Sequence, residues 1–173
     1  MTTRLMMMAA LLAAAPALAQ NQAGAAAGRP AAAAEQAAPA PPPGSAGIFK
    51  ANSDLQTVLN AAIAKTNDMA TSPIALTDQY RVNIVHRPKP NGAIAHPGNT
   101  ELHYIIEGSG TVVTGGKIVR KPGAPANTAT IEGGESHKVT KGDVIIVPAG
   151  SAHMYSEVNG EITYLEVRFV APK

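Results

Sequence analysis

Between residues 101 and 106 the chain alternates as an extended strand does, with Glu101, His103 and Ile105 on one face and Leu102, Tyr104 and Ile106 on the other. Other β-prone runs cover Tyr80 to His86, Gly110 to Thr114, Asp143 to Val147 and Ile162 to Val170. Turn residues separate them at Pro88, Pro90-Asn91-Gly92, Gly108-Ser109-Gly110, Gly115-Gly116, Gly133-Gly134 and Pro148-Ala149-Gly150. Helical spacing occurs once, from Ser53 to Lys65, where Ser53 offers a capping hydroxyl, Asp54 an acid in the first turn, and the apolar stripe a face for the core. Lys121 to Asn127 is too rich in breakers for a strand and reads as a surface loop. Many short strands with Gly/Pro turns and one leading helix predict an all-β sandwich or barrel.

The pattern changes upstream. Arg4, an apolar run from Leu5 to Ala15 and the small-residue triplet Ala17-Leu18-Ala19 read as a cleaved secretory signal over residues 1–19. No later segment approaches the roughly 20 apolar residues of a membrane helix, so no membrane span is expected. Residues 20–46 are mostly Ala, Pro and Gly and read as a disordered linker. The globular part, residues 47–173, has about the size of one domain. A periplasmic or secreted protein is the expectation.

Cysteine is absent, so neither disulfides nor thiolate ligands operate, and any metal must be held by nitrogen and oxygen. The formal charge of +2 comes without a dense Lys/Arg run, which argues against nucleic acid as a partner. Aromatic residues make up 3% of the chain, too few for a sugar-stacking platform. There is no phosphate loop, no Rossmann fingerprint, no G-x-S-x-G elbow and no H-E-x-x-H motif.

The candidate chemistry lies in two stretches. In the first, His96 stands five residues before Glu101, and His103 shares the face of Glu101. In the second, His153 follows the Pro148-Ala149-Gly150 turn. A carboxylate and an imidazole buried together are costly without a partner or a metal. Tyr155, Arg81 and Asn83 are further candidates for polar pocket groups, whereas His86, His137 and Glu107 read as surface residues.

On these residues the chain resembles the cupin superfamily, whose motifs are G-x5-H-x-H-x3,4-E-x6-G and G-x5-P-x-G-x2-H-x3-N. Gly142, Pro148, Gly150 and His153 fall on the second motif, with Glu157 in place of its Asn. His96, Glu101 and Gly108 fall on the first, in which Ile94 stands for the first His and Pro88 for the leading Gly. The resemblance implies a cupin-type double-stranded β-helix, a jelly-roll barrel with one short N-terminal helix. It also implies a divalent metal, Fe, Mn or Zn, held by His96, Glu101 and His153, with His103 placed to replace the lost imidazole. A metal-dependent enzyme of dioxygenase, isomerase, decarboxylase or lyase type acting on a small organic substrate is one implied function. The others are a non-catalytic module for a small ligand or metal, and a structural oligomer, since such sheets pair into homodimers.

Overall fold

Residues 37–170 are described by the computed structural model, so the expected signal at residues 1–19 lies outside the described residues. The order of elements is α1 (Asn52–Ile63), β1 (Ala70–Leu76), β2 (Tyr80–Arg87), β3 (Asn99–Thr114), β4 (Lys117–Val119), β5 (Thr130–Glu132), β6 (Glu135–Thr140), β7 (Val144–Val147) and β8 (His153–Val170). One six-stranded antiparallel sheet runs β1-β2-β8-β3-β6, with β7 also on β3, and β4 and β5 form a separate ribbon. The all-β jelly-roll expectation is met. Among the described residues no helix is long and apolar enough to cross a membrane.

The barrel is built around β3 and β8, which pair from Asn99↔Val170 through to Thr114↔His153. Register shifts between Ile105 and Glu107 and between Gly108 and Gly110 bend this ladder instead of ending it. The Gly108-Ser109-Gly110 turn expected from sequence is therefore a bulged stretch of one 16-residue strand. Gly108 has φ of 82°, and a Cβ there would strike the Glu161 carbonyl of β8, so the close approach of the two backbones requires glycine.

Alternation along these strands sends one set of side chains inward. Val85, Ile105, Val112, Val139, Tyr155, Ile162 and Tyr164 form the core, each at most 5% exposed. Burial of such side chains contributes about 1.5–3 kcal/mol apiece. The same parity carries Asn83, Glu101, His103, His153 and Glu166 into the interior. Glu107 is exposed, as expected.

Three local expectations are corrected. Ser53 is not the helix cap: Ala51 occupies that position without a side-chain bond, and Ser53 lies inside the helix, its carbonyl accepting from Thr57 Oγ1 at 2.8 Å. His86 is not a surface residue; it is 7% exposed, with Nδ1 3.1 Å from Thr163 Oγ1. His137 is exposed as expected, but it sits on β6, not in a loop. Within the Ala/Pro-rich stretch, Ala38 accepts from the Asp78 amide at 2.9 Å, and the Ala40 amide donates to Asp78 Oδ1 at 2.9 Å, so this part lies against the β1–β2 connection.

Candidate metal centre

Glu101 is 1% exposed and stands at the centre of three imidazoles. His96 Nε2 lies 3.2 Å from its Oε1, while His103 Nε2 and His153 Nε2 lie 3.2 and 3.4 Å from its Oε2. All four residues singled out from sequence are thus brought together. Two long strands and a loop place them: Glu101 and His103 on β3, His153 at the start of β8, and His96 on the segment leading into β3. The loop is held by the Gly150 amide, which donates to the His96 carbonyl at 3.0 Å.

Those spacings suit a coordination shell. With bonds of about 2.1 Å to nitrogen and oxygen, ligand atoms sit about 3.0 Å apart at octahedral angles and about 3.4 Å apart at tetrahedral ones. His96, Glu101 and His153 offer ligand atoms that all lie within 4.8 Å of one another; Glu101, His103 and Glu166 form a second such group. His103 therefore shares Glu101 with the first group without belonging to it.

Hydrogen bonding sharpens the distinction. His96 Nε2 is buried without a hydrogen-bond partner among the described residues, while Glu101 Oε1 is ion-paired with Arg168 Nε at 3.0 Å, so the imidazole nitrogen is the atom that a cation there would satisfy. His153 Nδ1 is 3.2 Å from the Ser151 carbonyl, which only accepts, so the neutral ring carries its proton on Nδ1 and turns the Nε2 lone pair toward Glu101. Two acceptors then face each other, again as around a cation. His103 differs, since Nε2 is hydrogen-bonded to Glu101 Oε2 and Nδ1 lies 3.2 Å from Tyr155 Oη.

The electrostatics keep the donor set in its binding form. Burial would raise the Glu101 pKa, but the hydrogen bond from His103, the neighbouring His153 imidazole and the Arg168 charge outweigh it and hold the carboxyl far below the usual range. For His96, burial and then the Arg168 charge lower the pKa, which leaves the imidazole neutral. Burial pushes the Tyr155 and Tyr164 phenols up, so both stay protonated.

Sequence reasoning missed three groups here. Arg168 Nε stands 3.0 Å from Glu101 Oε1, and its Nη2 donates to Glu166 Oε2 at 3.1 Å. Glu166 Oε1 in turn accepts from Asn83 Nδ2 at 2.8 Å, giving Asn83 the pocket role expected of it. Deeper in the barrel, Arg87 is 5% exposed, donates to Tyr164 Oη at 3.1 Å and lies 5.3 Å from the centre of the Tyr155 ring. The alternation Ile162, Tyr164, Glu166, Arg168 carried the signal for two of them, because it puts an acid and a guanidinium on the inward face of β8. Arg81 shares the inward face of β2 with Asn83, as expected, but is exposed.

The family described as Cupin matches residues 79–161. No curated protein matches the chain. Among solved structures, a protein from Bacillus halodurans is 17% identical over 72% of this chain and 83% of its own, with a TM-score of 0.48. A cupin superfamily protein from Desulfitobacterium hafniense DCB-2 is 14% identical over 61% of this chain and 81% of its own, with a TM-score of 0.43. A predicted oxalate decarboxylase from Thermotoga maritima is 20% identical over 60% of this chain and 79% of its own, with a TM-score of 0.42.

Proposed function

We propose that the protein, whose residues 79–161 match the cupin family, is an exported metalloenzyme acting on a small organic molecule. The observation that carries this reading is the buried Glu101 carboxylate ringed by three imidazole nitrogens, with His96 Nε2 left without a hydrogen-bond partner among the described residues. His96, Glu101 and His153 are the proposed ligands of Fe, Mn or Zn, a two-histidine, one-carboxylate set that leaves coordination positions free. Such an ion supplies Lewis-acid or, with Fe or Mn, redox chemistry at those free positions.

The chain's own residues do the rest. His103 orients Glu101 through its Nε2 and is itself fixed by the Tyr155 hydroxyl, and Ser151 sets the His153 tautomer. Arg168 and Asn83 hold Glu166 in place. The apolar core below the cluster closes the bottom of the barrel to water. Reconstitution with each metal, followed by a screen for oxygen consumption, decarboxylation, isomerisation and elimination, tests the reading; stoichiometric ligand capture without turnover contradicts it.

A second reading has its own observation. Arg168 already stands 3.0 Å from Glu101 Oε1, so a resident cation can neutralise the carboxylate in a non-catalytic ligand-binding module. Failure of every metal to bind after reconstitution favours that reading. Export rests on residues 1–19, and a mature N-terminus at Gln20, read by mass spectrometry from a periplasmic or culture fraction, supports it. A homodimer is proposed on the outer sheet face, where Tyr104, Val144, Ile146 and Phe169 are 43%, 55%, 61% and 39% exposed; sedimentation of an Ile146→Glu variant tests it.

A further inference from the structure

The open side of the cluster is marked by one neutral imidazole and one guanidinium. The side chains of Glu101, His103 and His153 are 1%, 3% and 6% exposed, whereas His96 and Arg168 reach 28% and 23%. Anything approaching the cluster from solvent therefore meets His96 and Arg168 first.

Arg168 is not alone there. It is directly opposed by Glu101 on β3 and by Arg81 on β2, so all three lie in one cross-strand row and share the inward face. Two guanidiniums directly opposite each other repel, and such an arrangement is destabilising unless anions are supplied. Glu101 and Glu166 supply two, and both are engaged by Arg168. Arg81 is exposed and has no ion-pair partner among the described residues. Arg168 is braced through Nη2 by Glu166, itself held by Asn83. In this row and its neighbour, Glu101 and Glu166 balance Arg168 and Arg81, so a divalent ion leaves two positive charges uncompensated.

We propose that the molecule received at this centre carries a carboxylate or similar oxyanion, and that Arg168 and Arg81 are the specificity-determining residues that hold it beside the metal. This rests on the metal reading above. A planar guanidinium matches an oxyanion in both charge and geometry, which a neutral ligand cannot use.

The test uses the metal-loaded protein, with metal content measured in every sample before calorimetric titration with acetate and with its neutral counterpart acetamide. The expected result is acetate binding weakened about tenfold in Arg168→Met, less in Arg168→Lys and several-fold in Arg81→Gln, with acetamide affinity unchanged throughout. Equal acetate affinity in wild type and metal-loaded Arg168→Met overturns the inference. Should Arg168→Met fail to fold or load, unchanged acetate affinity in both Arg168→Lys and Arg81→Gln overturns it equally. A wild-type protein that takes up no metal overturns the metal reading itself, and this one with it.

Discussion

Ile94 and His153 are joined through both backbone groups, the Ile94 amide to the His153 carbonyl at 3.0 Å and the His153 amide to the Ile94 carbonyl at 2.9 Å. Directly opposed residues of an antiparallel pair present their side chains to the same side. The position from which the first motif has lost its histidine is therefore the immediate neighbour of a proposed ligand. Ile94→His is expected to restore a further imidazole and slow metal loss to a chelator by about tenfold. Ile94 is 39% exposed, so the folding cost should stay within about 0.5 kcal/mol. Chelator-competition kinetics on wild type and variant check both statements.

His103 and His153 differ in what their second ring nitrogen meets, and that difference separates orientation from ligation. His153→Ala is expected to abolish metal retention. His103→Ala and Tyr155→Phe, which loosen the orientation of Glu101, are expected to weaken it by about 10–100-fold. Metal dissociation constants from competition with a fluorescent chelator give the ranking; equal, complete loss in His103→Ala and His153→Ala would make His103 a ligand.

Acid should unfold the metal-free protein in two stages. His96 has a lowered folded pKa, so the unfolded chain binds a proton first as pH falls below about 6.5, and stability drops. Glu101 has a strongly depressed folded pKa, so its contribution is complete above the unfolded value of about 4.3 and is lost progressively below it. Urea unfolding between pH 3 and pH 8 should show both declines in wild type and only the upper one in Glu101→Gln. At neutral pH the same variant should be about 3 kcal/mol less stable, because Arg168 loses a buried counter-charge.

Much of the centre was legible in the sequence because its residues sit at fixed offsets on single elements. Glu101 and His103 are two apart on a strand, and His153 follows a turn whose Pro and Gly announce it. Arg168 and Glu166 were not, since they reach Glu101 and His103 only through the β3–β8 register, a long-range pairing that no local pattern encodes. The fold class was likewise readable, but the strand boundaries were not. Glycines at Gly108 and Gly110 look like turn residues in sequence, yet they serve as points of close backbone approach. Strand β1 was overlooked because Pro73 argues against a strand, although an edge strand with a register shift beside it tolerates proline. Strand β6 was overlooked because Glu135 to Lys138 is polar and exposed, with only Val139 buried among its first five residues.

Gly108 gives a test of the fold independent of metal. Gly108→Ala places a Cβ against the Glu161 carbonyl at a positive φ and should cost about 2 kcal/mol or more. Gly98→Ala also sits at positive φ but with nothing within 4 Å, and should cost less. Thermal unfolding of the two variants compares them.

The most direct test of the account is the metal content of the protein, purified without a histidine tag and measured by plasma mass spectrometry after reconstitution, beside His96→Ala, Glu101→Gln and His153→Ala. Close to one Fe, Mn or Zn per chain is expected in wild type, with loss in all three variants. A wild-type protein that stays empty, or variants that keep the metal, would contradict it.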